Sequence, residues 1–268
     1  MNILVCVKQV PDTTQVKIDP VTNTLIREGV PAIVNTYDAF ALEAAARLKD
    51  KDPDTKIVVM SMGPANAVNA LKDCLAIAAD RAYLISGREF GGSDTLATSY
   101  ILSNAVKKIE ETEGKFDAIF CGKQAIDGDT AQVGPELAEH LGLPQVTCAL
   151  EITEADDAHL EVLKEGTDAN MLISIGLPCL LTFTKPSFEP RFPSLKRKMM
   201  AMRAQIPTIA FSDLPGIDAG KIGLNGSPTR VKRSFVPERK KNGMIISGGT
   251  AAENAAKLSE LLSDAKVI

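Results

Sequence analysis

The sequence predicts an α/β protein with a doubly wound, mostly parallel sheet. Over the first 145 residues, short apolar runs alternate with helical patterns, as in parallel strands joined by right-handed crossovers. The runs are continuously apolar, which is typical of strands covered on both faces. After residue 145, strand patterns follow one another closely, which indicates an antiparallel extension of the same sheet.

The parallel part is predicted to contain strands at residues 3–7, 56–62, 81–86 and 116–121. Helices are predicted at 38–49, from Pro64 onward, from Ser93 through 109, and over 130–141. Asn35, Thr36 or Asp38 can cap the first helix, and Ser93 the third. Ligands of such sheets bind beyond the carboxyl ends of the strands, so the loops that follow them should form the site.

The second half of the chain is predicted to add strands at 145–152, 159–163, 169–175 and 180–184. A helix rich in lysine, arginine and methionine begins near Ser194, and the residues from 205 to 250 show little periodicity. A last helix over 251–265 places Leu258, Leu261 and Leu262 on one face. We expect an α/β domain over 1–205 and a C-terminal extension over 206–268, which docks on another surface or packs on its own domain.

The composition argues against several classes of function. A net charge of −4, with no Trp and three Tyr, disfavours nucleic-acid binding through the whole chain. We expect no membrane span, because no apolar stretch approaches the roughly 20 residues that one needs. The start of the chain lacks the pattern of a signal peptide, and the five cysteines stand singly, so we expect free thiols in the cytoplasm. The two histidines stand apart, so we expect neither a metal site nor a catalytic triad.

The segment GKQAIDGDTAQVG, residues 122–134, is the best candidate for a binding site. It follows a buried strand and opens a helix, where free backbone N–H groups and the helix dipole attract phosphate. An ordinary glycine-containing loop, with Asp127 or Asp129 as the helix cap, remains an equal alternative. The dinucleotide fingerprint GxGxxG and the P-loop motif are absent from the sequence. Residues 91–95 faintly resemble the phosphate loop of ATP pyrophosphatases but lie three elements too late in the chain for that enzyme class.

Two basic clusters can be either solvated surface or a docking site for an acidic partner. The first has only Glu189 as a nearby acid in the sequence and comprises Lys185, Arg191, Lys196, Arg197, Lys198 and Arg203. The second is opposed by Glu238 and comprises Arg230, Lys232, Arg233, Arg239, Lys240 and Lys241.

Several segments, in this order along the chain, resemble the β subunit of electron-transfer flavoproteins. They are VCVKQV at 5–10, residues 35–38, SMGPA at 61–65, AADR at 78–81, GKQAID at 122–127, and EPR at 189–191 followed by Leu195 and a basic run. The resemblance implies a Rossmann-like fold of the adenine-nucleotide hydrolase type. It also implies a heterodimer with an α subunit, on which the C-terminal extension would pack.

The resemblance implies an adenine-nucleotide pocket whose phosphates are held by backbone amides. The matching positions are Cys6, Asn35, Thr36, Tyr37, Asp38, Met62, Gly122, Lys123, Gln124, Ala125, Ile126, Asp127, Gly128, Asp129, Thr130, Ala131, Gln132, Val133 and Gly134. It also implies a recognition loop over 185–200 that anchors on an acyl-CoA dehydrogenase through a leucine. The matching positions there are Glu189, Arg191, Leu195, Lys196 and Arg197.

The chain departs from many family members directly after GKQAID. Members that bind AMP continue with a stretch like DCNQTGQ, whereas this chain has GDTAQVGPE at 128–136. That variant is similar to members in which the β site holds FAD. In those proteins electrons from NADH are split between ferredoxin or flavodoxin and an acyl-CoA dehydrogenase, a reaction called electron bifurcation. The resemblance therefore implies FAD, with AMP as the alternative, and NADH oxidation only within the heterodimer.

Overall fold

The computed structural model describes residues 1–12, 31–232 and 243–268. The chain forms two compact units, Met1–Lys232 and Arg233–Ile268. We predicted a boundary after residue 205, but residues 206–232 pack with the α/β unit. The buried side chains of Ile209, Leu214 and Ile222 join the apolar core on one face of the sheet, and this burial explains the difference.

Within the described residues, the α/β unit contains a nine-stranded sheet and a separate two-stranded ribbon. The ribbon pairs β2 (Gln9–Pro11) with β3 (Ala32–Val34). The large sheet contains β1 (Asn2–Cys6), β4 (Lys56–Met62), β5 (Arg81–Ile85), β6 (Ala118–Gly122), β7 (Gln145–Ala155), β8 (His159–Lys164), β9 (Met171–Gly176), β10 (Cys179–Phe183) and β11 (Thr208–Ile209). Its strand order is β11-β5-β4-β1-β6-β10-β7-β8-β9.

Helices cover both faces of the sheet, as the doubly wound prediction requires. They are α1 (Thr36–Lys51), α2 (Val68–Ile77), α3 (Thr95–Glu113), α4 (Val133–Leu141) and α5 (Leu195–Arg203). Strand β1 shows why its run is continuously apolar. Ile3 and Val5 pack with α1 and α2, whereas Leu4 packs with α3 and α4 on the opposite face. The fold class predicted from the sequence is confirmed.

Three predicted details differ from the structure. Strand β10 pairs in parallel with β6 and β7, so the antiparallel extension consists of β7, β8 and β9 alone. Helix α3 is capped by Asp94, whose side chain accepts a hydrogen bond from the Ala97 amide, while the Ser93 hydroxyl donates to the Phe90 carbonyl. Helix α4 begins at Val133 rather than at 130, because Asp129 and Ala131 adopt left-handed conformations with φ of 54° and 55°.

The second unit contains helix α6 (Ala251–Asp264). A capping box starts it: the Thr250 hydroxyl accepts from the Glu253 amide, and the Glu253 carboxylate accepts from the Thr250 amide. Leu258 on its predicted apolar face is 49% exposed. Within the described residues, no helix is both long enough and apolar enough to cross a bilayer.

Candidate functional site

The candidate site lies where β1 and β6 run side by side in the middle of the sheet. From β1 the chain proceeds through α1 on one face to β4. From β6 it proceeds through α4 on the other face to β7, which lies on the opposite side of the β1–β6 pair. Adjacent strands whose connections leave in opposite directions open a crevice at their carboxyl ends. Here that crevice lies beyond Cys6 and Gly122, and we call it the switch-point crevice.

Two buried polar residues at the start of α1 join the loops that line this crevice. Asp38 accepts hydrogen bonds from the backbone amides of Lys8, at 2.7 Å, and of Gly122, at 3.1 Å. Asn35 donates to the Gln124 carbonyl at 2.8 Å, and its side-chain oxygen accepts from the Ile126 amide at 3.0 Å. Asn35 and Asp38 therefore position the main chain after β1 and β6.

Burial dominates the electrostatics of Asp38. It raises the pKa of this carboxyl to about 7, although hydrogen bonds from Asn35, Lys8 and Gly122 oppose the rise. Close packing around Asp38 also explains why residue 122 is a glycine. A Cβ atom there would lie 2.2 Å from an Asp38 carboxylate oxygen and 2.7 Å from the Tyr37 carbonyl carbon. The backbone approach that these residues make is possible only for glycine.

The 127–134 stretch runs through a tight turn and two residues with positive φ into the start of α4. The amides of Gly128 and Asp129 both donate to the Ala125 carbonyl, which forms a tight turn. Left-handed residues at Asp129 and Ala131 follow, and among the described residues none supplies a side-chain cap at Gln132, the residue before α4. A left-handed residue followed by a right-handed one, as at Ala131 and Gln132, is a pattern typical of anion-binding turns. An uncapped helix start leaves further amides available as donors.

An ion pair connects this stretch to β1, and a cleft adjoins it. Lys8 Nζ lies 2.6 Å from an Asp127 carboxylate oxygen. The cleft has a volume of about 170 Å³ and lies between the ribbon, the ends of β1 and β4, and Asp127. Its wall combines apolar and polar side chains, among them Val10, Met62, Pro64, Lys8 and Asn66. Met62, predicted from the resemblance, thus lies on the cleft.

Other predicted pocket residues have structural contacts that the sequence alone does not reveal. Cys6 is paired in register with Cys121, and a hydrogen bond with Cys6, together with burial, raises the pKa of the Cys121 thiol. Gln124 donates to the Asp129 carboxylate at 2.7 Å, inside the loop. Gly134 packs α4 on β10, since a Cβ there would lie 2.5 Å from the Thr182 methyl carbon. These contacts shape the crevice from its inner side.

The remaining predicted positions follow the course of the main chain. Thr36 and Tyr37 begin α1, with Thr36 exposed and Tyr37 packed edge-on against Phe40. The Lys123 amide donates to the Phe183 carbonyl at 2.7 Å and so continues the pairing of β6 with β10. The stretch that leads into the first turn of α4 contains Thr130, Ala131, Gln132 and Val133.

A second candidate surface is the docking segment, residues 185–203, which includes α5. Arg191 fixes it to α1 through two carboxylates. Its guanidinium donates to both Glu43 oxygens, at 2.8 and 2.9 Å, and to both Asp50 oxygens, at 3.1 and 2.7 Å. The Arg191 hydrogen bonds lower the pKa of Asp50, and these carboxylates raise the pKa of Arg191 above its usual range. Arg47 adds a cation–π contact, 4.3 Å from the centre of the Phe188 ring.

Arg197 fixes the helical part of the docking segment. Its guanidinium donates to the carbonyls of Leu75 and Ala79, at 2.9 and 2.8 Å, which belong to the last turn of α2 and the residues after it. Ser194 caps α5 by accepting from the Arg197 amide. Arg191 and Arg197, predicted to bind a partner, are thus engaged within the chain, whereas Glu189, Leu195 and Lys196 are exposed.

The sequence interpretation missed both the acids and the apolar groups of this segment. It found only Glu189 near the basic cluster, but the fold brings Glu43 and Asp50 to Arg191. Their spacing of seven residues, two turns of one helix face, was the available signal. It also missed exposed apolar side chains beside Leu195: Phe192 is 94% exposed, Met199 52% and Met202 68%. The spacing 195, 199 and 202 in the sequence indicates one face of a helix.

The chain is similar to a known domain family and, over most of its length, to several known proteins. Residues 22–214 match the model of the electron transfer flavoprotein domain. The chain is 50% identical over 248 residues to the electron transfer flavoprotein subunit beta of Megasphaera elsdenii, covering 92% of this chain and 91% of the relative. It is 47% identical over 268 residues to the caffeyl-CoA reductase-Etf complex subunit CarD of Acetobacterium woodii, with both chains fully covered. It is 43% identical over 264 residues to protein FixA of Azorhizobium caulinodans, covering 97% of this chain and 94% of that one.

Proposed function

The chain belongs to the electron transfer flavoprotein family as a β subunit, and on that premise we propose that its switch-point crevice holds FAD. With its α subunit it would take electrons from NADH and bifurcate them to ferredoxin or flavodoxin and to an acyl-CoA dehydrogenase. FAD supplies the ability to accept two electrons together and release them singly. The protein supplies binding, orientation and electrostatics, all of which can be traced to particular residues.

The observation that carries this proposal is the main-chain anion site at 127–134. Left-handed residues at Asp129 and Ala131 precede the uncapped start of α4, so peptide N–H groups and the helix dipole favour a pyrophosphate. A Cβ built on Gly128 meets no atom of the described residues within 4 Å. That open side allows a ligand to approach the backbone. The donor set therefore fits the phosphates of FAD, and it also fits those of AMP.

The adjoining cleft offers a reason to favour the larger nucleotide. Its wall combines the apolar surfaces of Val10, Met62 and Pro64 with the Lys8 cation. Such a surface suits a flat, partly polar ring system attached to the phosphates. Asn35 and Asp38 keep the crevice open by holding both loops to α1. The sequence GDTAQVGPE at 128–136, which resembles FAD-binding members, supports the same assignment.

We propose the docking segment as the contact for the acyl-CoA dehydrogenase. Leu195 is 76% exposed on a helix fixed from behind by Arg197. An apolar anchor with basic neighbours suits a transient complex with an acidic partner. The name of the Acetobacterium relative, a caffeyl-CoA reductase-Etf complex subunit, is in keeping with a partner that acts on CoA esters. We also propose that the C-terminal unit with α6 packs on the α subunit.

The test is a count of nucleotides in the purified heterodimer. The α and β subunits would be produced together, the cofactors released in acid, and FAD and AMP quantified by chromatography. Two FAD and no AMP per heterodimer, with NADH reducing the flavin, are the expected results. One FAD with one AMP would make this a single-flavin carrier and would remove the NADH and ferredoxin roles.

A further inference from the structure

Helix α5 is fixed on α2 in one rotational setting. Ala201 is 4% exposed, and Arg197 reaches the carbonyls of Leu75 and Ala79. On the α2 side, Lys72 Nζ donates to the Met202 carbonyl at 3.1 Å. Because Arg197 and Ala201 face α2, the opposite face of α5 must point away from the body of the unit.

That outer face is an apolar stripe. At roughly 100° per residue, Leu195, Met199 and Met202 lie within about 60° of one another around the helix axis. They are 76%, 52% and 68% exposed, respectively. Lys198 lies on one side of the stripe, and Lys196 and Arg203 lie on the other. The surface next to the proposed leucine anchor is therefore made of two methionine side chains.

We propose that Met199 and Met202 extend the Leu195 docking surface, and that their oxidation to sulfoxides releases the acyl-CoA dehydrogenase. This inference rests on the function proposed above and adds a reversible regulation to it. In each oxidation the thioether sulfur attacks a peroxide oxygen, the O–O bond breaks and an S–O bond forms. The sulfur is oxidised by two electrons and hydrogen peroxide is reduced to water. Methionine sulfoxide reductases reverse the modification.

The oxidation changes the chemistry of the contact. A methionine thioether is apolar and adapts its shape to a partner surface. A sulfoxide oxygen is a strong acceptor, and burying it without a donor opposes binding. We expect the two sulfoxides to weaken the complex about tenfold or more, as for polar groups buried without partners.

The chain contains a matched control on the same helix. Met200 is 63% exposed, but it lies roughly 140° around the axis from Leu195, outside the stripe. Met171 on β9 and Met244 in the C-terminal unit are exposed elsewhere, at 48% and 71%. Met60 is fully buried in β4 and should resist oxidation. Peroxide thus reaches several methionines, of which only Met199 and Met202 belong to the stripe.

The experiment uses the purified heterodimer with all its cofactors. Wild type, the double variant Met199→Leu/Met202→Leu, and Met200→Leu would each be treated with hydrogen peroxide, with sulfoxides located by peptide mass spectrometry. Leucine keeps the volume and apolar character but cannot be oxidised under these conditions. The dissociation constant for a purified acyl-CoA dehydrogenase would be measured before treatment, after it, and after incubation with sulfoxide reductases. FAD content would be followed in each sample.

We expect treated wild type and treated Met200→Leu to bind about tenfold more weakly, the double variant to keep its affinity, and the reductases to restore binding. Full oxidation of Met199 and Met202 with unchanged affinity would overturn the inference while leaving the proposed function intact. An equal loss in the double variant would also overturn it, because the damage would lie elsewhere. Untreated heterodimer that does not bind the dehydrogenase would reject the proposed partner itself, and the inference with it.

Discussion

The switch-point crevice and the docking segment are built in opposite ways. At the crevice the main chain supplies the proposed phosphate-binding groups, and buried side chains such as Asn35 and Asp38 hold it in place. At the docking segment the side chains of Leu195 and its neighbours are presented, and arginines hold the main chain from behind. The first arrangement suits a ligand with fixed phosphates, and the second suits a partner that must leave after each electron transfer.

This difference determines where substitutions should act. Where the main chain supplies the binding groups, substitution of side chains that point outward should affect nucleotide binding little. Substitution of the residues packed behind the main chain should affect it strongly. A docking surface made of side chains can be altered without affecting the crevice, provided that its arginine contacts remain. Substitutions at the two places should therefore separate cofactor content from partner binding.

The largest effect is expected for Gly122→Val. A Cβ at residue 122 would lie 2.2 Å from the Asp38 carboxylate, with backbone behind it, so the loops after β1 and β6 cannot both keep their positions. We expect loss of the folded chain or, at best, of its nucleotide. Gly128→Val is the matched control: it should fold normally, because space is open there, yet release the nucleotide by blocking backbone approach. Thermal unfolding measures the stability of both variants, and their nucleotide content is measured after purification. A Gly128→Val protein that retains its nucleotide would show that the phosphates bind elsewhere.

The next effect concerns Asp38 and pH. Its folded pKa is about 7, against an ordinary value of 3.8, so between these pH values the folded state holds a proton that the unfolded state has lost. This group's contribution to the free energy of unfolding is therefore greatest below about pH 4 and falls as the pH rises to about 7, by at most about 4 kcal/mol. Asp38→Asn should abolish that slope. Urea unfolding from pH 4 to 8 measures it, and parallel curves for the two proteins would refute the assignment.

A smaller effect is expected at the arginine contact of the docking segment. Glu43→Gln removes a carboxylate that is 7% exposed and should cost about 2 kcal/mol of stability. Asp50→Asn removes one that is 60% exposed and should cost less than about 1 kcal/mol. Hydrogen exchange should rise in residues 185–194 of Glu43→Gln, with nucleotide content unchanged. Equal costs for the two variants would show that burial does not govern this contact.

The smallest effect on stability is expected for Leu195→Ala, because the side chain is 76% exposed. Binding of an acyl-CoA dehydrogenase should weaken about tenfold, as for an interface anchor worth about 1.4 kcal/mol. Nucleotide content and NADH reduction should match wild type. Stopped-flow electron transfer to the dehydrogenase measures the change, and loss of flavin instead would show that this segment supports the crevice.

Much of the fold could be predicted because its signals are local. The run at residues 3–7 predicted β1, and the helix rich in lysine, arginine and methionine was predicted to begin near Ser194, where α5 starts. The position of β10 between β6 and β7 could not be predicted, because an apolar run does not indicate which strands it pairs with. The late start of α4 was also not predicted, because alanine rarely adopts the left-handed conformation that Ala131 has here.

The sequence by itself determined the α/β class, the elements around the crevice, the glycine-rich loop and the resemblance to one family. Each of these depends on periodicity or on short motifs, which the order of residues contains directly. Only the tertiary structure decided that Arg191 meets Glu43, a residue 148 positions away, and that burial raises the pKa of Asp38. Such contacts and pKa shifts arise from groups brought together by packing, and the physical environment of a side chain exists only once the chain has folded.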